Sequence, residues 1–152
     1  MEVTTGTVSI TWYRREARPC GVLRINVHGS PTAEDINCAF CESRAVLRRR
    51  ENLQNRIAIV VVNKGGCWLA TPSIVMAVVG NLLEMKDSII KRVEETIVIV
   101  SGIHKVTKTM LDMFLRVYKT IRPFTISDCE KDEAKFIETW LGKEARREIC
   151  GC

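Results

Sequence analysis

Two unbroken apolar runs set the terms for this chain. Ile57 to Val62 is β-branched throughout except at Ala58, and Thr96 to Val100 repeats the pattern behind a single hydroxyl. Neither run alternates with polar residues, so neither keeps a face for water. Such strands are covered on both sides, like the inner strands of a sheet packed between helices. Asn63-Lys64-Gly65-Gly66 closes the first run and Ser101-Gly102 the second. Between them, Pro72 suits the first turn of a helix. Val75, Met76, Val79, Leu82 and Leu83 carry that helix to about Met85. A buried strand, a helix and a second buried strand predict a parallel crossover unit.

The flanking segments extend this pattern. Val8, Ile10 and Trp12 alternate with Ser9, Thr11 and Tyr13, and Leu23, Ile25 and Val27 alternate with Arg24, Asn26 and His28. These are two half-buried strands, and the short polar link between them predicts an antiparallel pair. Gly29-Ser30-Pro31 breaks the chain, and Thr32 with Asp35 resembles a capping box for the helix that follows. Ala33, Ile36, Phe40 and Leu47 share a face of that helix. Val106, Met110, Met113, Phe114 and Val117 mark another helix. Phe124 to Ser127 reads as a short last strand. Asp128, Glu130, Asp132 and Glu133 open a final helix whose face is Ala134, Ile137 and Leu141. The expected order is β-β-α-β-α-β-α-β-α: a single α/β domain with a mixed, mostly parallel sheet. Its core spans about 8–141, and 142–152 forms a charged tail. At 152 residues the chain has one domain's worth of material, and such a domain removes about 68–70% of its unfolded surface from water.

With 46% hydrophobic residues the chain needs no disulfide staples, and a net charge of +5 is too mild for a nucleic-acid binder. Seven cysteines, an odd number, read as mostly reduced thiols. The first residues lack the basic and apolar regions of a secretory signal. The expected location is therefore cytoplasmic. The longest uncharged stretch, Gly65 to Leu83, is interrupted by Pro72, Ser73, Gly80 and Asn81, so it reads as a loop and a buried helix rather than a membrane span.

From about Val8 to Leu141 the order and local texture resemble the STAS domain of anti-sigma-factor antagonists and sulfate transporters. Ile57 to Val62 and Thr96 to Val100 stand where that family has its central strands. Phe124-Thr125-Ile126-Ser127-Asp128, followed by Asp132-Glu133-Ala134 and Ile137, is similar to its closing strand and helix. The resemblance implies a non-enzymatic regulatory module with a protein partner. Its regulatory members carry a phosphorylatable Ser or Thr where the helix after the central strand begins. The equivalent stretch here is Leu69-Ala70-Thr71-Pro72-Ser73, so the resemblance points to Thr71 or Ser73. The alternative expectation at these positions is helix capping, for which Thr71 is well placed. A second resemblance, to the CRAL-TRIO lipid-transfer fold, implies a small carrier of a lipid or apolar ligand.

No set of residues has a recognisable bond-making role, so no enzyme, cofactor or metal is expected. His28 and His104 read as surface or loop residues. Cys38 and Cys41 form a C-x-x-C inside the first helix, read as core packing. The working surface is expected at the loop Asn63–Ser73 with the Ser101–Val106 loop beside it, since both leave the carboxyl ends of inner strands. Its partner- or ligand-binding candidates are Lys64, Gly65, Gly66, Cys67, Trp68, Leu69 and His104. Arg44, Arg48, Arg49 and Arg50 read as a solvated face that offers weak contact to an anionic membrane surface. Cys150-Gly151-Cys152 reads as a plain thiol tail.

Overall fold

The computed structural model describes residues 2–5, 7–14, 20–49, 56–64, 71–101 and 105–144. Its elements run β1 (Glu2–Thr5), β2 (Val8–Arg14), β3 (Cys20–Val27), α1 (Ala33–Arg48), β4 (Arg56–Lys64), α2 (Pro72–Arg92), β5 (Val93–Ser101), α3 (Lys105–Ile121), β6 (Thr125–Ser127) and α4 (Glu130–Leu141). The α/β class and the mixed, mostly parallel sheet are as expected. One strand is additional: β1 pairs antiparallel with β2, Glu2 opposite Thr11 and Thr5 opposite Val8. Its β-branched residues Val3, Thr4 and Thr5 ahead of Gly6 were a strand signal too short to stand out against the longer runs.

The six strands lie in sequence order, β1-β2-β3-β4-β5-β6. β2 pairs antiparallel with β3, and β3, β4, β5 and β6 are parallel. Three crossovers step in the same direction, and their common right hand puts α1, α2 and α3 on one face of the sheet. Helix α1 packs on α2 and α2 on α3, while α4 packs on β3 and β5 from the other side.

The pleat of β4 feeds both layers. Ile57, Ile59 and Val61 join the core beneath α1–α3, and Ala58, Val60 and Val62 join Phe136, Ile137 and Leu141 of α4. The smaller layer is closed by charge as well. Arg24 of β3 donates to the buried Glu133 of α4 at 2.5 Å, and Trp140 Nε1 donates to Glu95 at 2.8 Å. Arg56 lies 5.6 Å from the Trp140 ring centroid and pairs with Glu94.

Several boundaries differ from expectation, among them β3, which begins at Cys20, and β4, which runs past Val62 to Lys64. Helix α2 continues past Met85 to Arg92, because Ile89 extends its buried face beyond the polar Lys86, Asp87 and Ser88, all of which face water. Strand β5 then begins at Val93, fully buried, with Glu94 and Glu95 turned outward. Cys38 and Cys41 are exposed on α1 rather than packed in the core. The buried positions are Ile36, Ala39, Ser43, Val46 and Leu47, and a step of two residues from Ile36 to Cys38 carries the side chain about 200° round a helix.

The capping box at α1 is complete. Thr32 Oγ1 accepts from the Asp35 amide at 3.1 Å, and Asp35 accepts from the Thr32 amide at 3.2 Å and from the Thr7 hydroxyl at 3.0 Å. The Thr32 amide, with help from both hydroxyls, holds the Asp35 carboxyl below the usual carboxylate range, against a smaller opposing effect of burial. A depressed folded pKa gives stability that is fully present above the unfolded value, about 3.9, and is lost as pH falls through the folded value. The melting-temperature gap between the wild type and Asp35→Asn is therefore expected to be constant at neutral pH and to narrow below about pH 4, as followed by circular dichroism. At the far end of β3, a Cβ on Gly21 would overlap the Trp12 ring. Gly21→Ala is expected to cost about 1–3 kcal/mol in denaturant titrations, the range for overpacking.

Candidate functional site

Of the two helix-opening hydroxyls, Thr71 caps α2. Thr71 Oγ1 accepts from the Ile74 amide at 3.4 Å and lies 3.1 Å from the exposed Ser73 hydroxyl. Lys64 ends β4. Gly65, Gly66, Cys67, Trp68, Leu69 and His104 lie outside the described residues, as do Arg50 and the Cys150–Cys152 tail. The remaining arginines do not act as one group: Arg44 is tied to Glu84 of α2 at 2.7 Å, while Arg48 and Arg49 are exposed. His28, also exposed, shares a 3.2 Å hydrogen bond with Ser9. Among the described residues no group of three or more His, Cys, Asp or Glu could hold a metal ion, and no helix is long and apolar enough to cross a membrane.

The described residues instead line a partly open cavity of about 170 Å³ between the sheet and α1–α3. Register builds its floor from rows of cross-strand neighbours. Leu23, Ile59 and Thr96 form one row, Ile25, Val61 and Val98 the next, and Val27 with Asn63 the last. The roof is Ala39, Phe40 and Ser43 of α1, Leu82 and Met85 of α2, and Phe114 and Tyr118 of α3. Small side chains at Ala39 and Ser43 leave the room. No Asp, Glu, Lys, Arg or His is among the described lining residues.

Three of the four polar side chains on the wall are satisfied within it. Thr96 Oγ1 and Tyr118 Oη lie 2.7 Å apart, and Ser43 donates to the Ala39 carbonyl at 2.8 Å. Burial pushes the Tyr118 phenol up, against smaller opposing effects of Thr96 and Arg122, so it stays neutral at physiological pH. Asn63 is the exception. It is 1% exposed, and neither its Oδ1 nor its Nδ2 meets a hydrogen-bond partner among the described residues. Asn81, also buried, donates to both Asn37 and the Ala77 carbonyl, which is how buried amides are ordinarily treated.

An orphaned buried amide beside such a cavity is costly to keep, about 1–3 kcal/mol. Asn63-Lys64-Gly65-Gly66 reads as a strand terminator, yet Asn63 is paired within β4, opposite Val27. The period-2 alternation of Ile57, Ile59 and Val61 carries on to position 63, and that signal puts Asn63 on the same face as those residues, the one under α1–α3. Asn63→Leu removes the orphaned amide and fills space, so it is expected to stabilise the fold by about 1–3 kcal/mol, read as a higher denaturation midpoint at unchanged slope. No known protein family matches the chain, and neither does any curated protein.

Proposed function

We propose that this protein binds a small, uncharged, largely apolar molecule between its sheet and the α1–α3 layer, as a non-enzymatic carrier or ligand-sensing module. The observation that carries this reading is the cavity of about 170 Å³ with its apolar wall. A cavity of about 150 Å³ lined by Leu, Ile and Phe in another protein stays dry and takes up benzene. The cargo that fits is thus of single-ring size, well short of a long acyl chain. Ser43, Asn63, Thr96 and Tyr118, its polar side chains, include no general base or activated nucleophile at neutral pH. The CRAL-TRIO-like reading supplies the general scheme, an apolar ligand held between sheet and helices, here with a smaller cargo.

A protein-interaction role of the STAS-like kind is the second reading. It is supported by Met76, Leu83 and Ile90, which recur every seven residues along α2 and are 73%, 55% and 42% exposed. Thr71 and Ser73 start the same helix, so a phosphate on either would add about −1.5 to −2 of charge beside that stripe. The described cysteines are all free, which fits a reducing compartment such as the cytoplasm.

Toluene titrated into the protein is expected to bind saturably by calorimetry and to raise the melting temperature with its concentration. Ala39→Leu, which fills the roof with a residue nearly as good a helix former as alanine, should weaken that binding by at least about tenfold, or about 1.4 kcal/mol, while leaving the fold as stable. Failure of toluene to saturate would overturn the proposal.

A further inference from the structure

Asn63 narrows the ligand's chemistry. Its carboxamide is the sole polar side chain of the described wall that has no partner there. It presents an acceptor, Oδ1, and a donor, Nδ2–H, side by side. A ligand with a single carbonyl satisfies only Nδ2–H and leaves Oδ1 buried and bare, and a single hydroxyl reaches both atoms only through bent, weakened hydrogen bonds. A group that offers donor and acceptor at the same spacing satisfies both in a cyclic pair. Primary amides, lactams and protonated carboxylic acids have that form. Ionised groups do not suit the site, because the described wall holds no opposite charge and an unpaired ion is costly to desolvate. A carboxylic acid would reach the cavity only after taking up a proton that it does not carry at neutral pH. Neutral amides and lactams remain.

Resting on the cavity reading above, we infer that the natural ligand is an uncharged single-ring molecule bearing a primary amide or lactam, held by a paired hydrogen bond to Asn63 with its apolar body between Val61, Leu82 and Phe114.

The test compares toluene, benzamide, 2-pyridone and benzoate on the wild type and on Asn63→Leu, by calorimetry. The expected result is that the preference for benzamide over toluene falls at least about tenfold in Asn63→Leu, equivalent to about 1.4 kcal/mol. The same loss is expected for 2-pyridone, and benzoate should bind more weakly than benzamide to the wild type. In nitrogen–proton spectra of the wild type, the Asn63 side-chain amide signals should shift with benzamide and 2-pyridone and stay in place with toluene. This second measurement stands if the variant fails to fold. Toluene binding with a preference that falls less than tenfold overturns the amide inference and leaves the cavity reading standing. A benzoate affinity equal to that of benzamide, or Asn63 signals unmoved by the amides, overturns it as well. Failure of every probe, toluene included, overturns both.

Discussion

The structure depends on one strand being dry on both faces. β4 lies between β3 and β5, and its pleat alternates side chains between the two cores. Burial of its apolar residues contributes about 1.5–3 kcal/mol each. Because β4 needs cover on both sides, the chain must supply two helical layers, and they are unequal. Three helices form one layer and α4 alone the other. The thin layer is packed tightly and reinforced by Arg24 with Glu133 and by Trp140 with Arg56 and Glu95. The thick layer, spread over three helices, has room for a cavity.

This asymmetry separates the face of β4 under α4 from the face that lines the cavity. Residues on the α4 side of β4, Ala58, Val60 and Val62, are fully buried and have only the core to serve. Those on the other side include Val61, only half-buried, and Asn63, the orphaned amide. Functional positions commonly keep such local deficits in packing and hydrogen bonding, made good by the rest of the fold. The same strand thus anchors the molecule with its even-numbered residues and faces the candidate ligand with its odd-numbered ones.

Much of the architecture was legible in the residues because it follows from periodicity. Alternation at Val8–Trp12, the unbroken runs, and Thr32 with Asp35 each state a local structure that the fold keeps. The cavity was not legible in this way. It arises from the meeting of three helices whose separate faces look ordinary, and from Ala39 and Ser43 being small where α1 lines the same space as Val61. Cross-strand register and helix docking bring those residues together, and neither is written in any single stretch. Cys38 and Cys41 are exposed for a related reason: cysteine is a commonly buried residue type, but their angle around α1 points them away from the face of Ile36, Ala39 and Ser43. Asn63 had a signal, its parity with Ile57, Ile59 and Val61, but its place beside Lys64, Gly65 and Gly66 drew it into the terminator.

The strand order that never doubles back also orders events in time. Each strand of the sheet pairs with its immediate predecessor, so the sheet and the α1–α3 layer can grow as the chain emerges from its N-terminal end, through short loop closures that assemble quickly. Helix α4 is the exception. Its partners are far upstream, Glu133 with Arg24 and Trp140 with Cys20, so the face formed by Val22, Val60, Val62 and Ile99 waits uncovered until the last helix has been made. A nascent chain of this protein exposes a sheet-wide apolar surface late in synthesis, and closing it is the final step that turns a grown sheet into a folded domain.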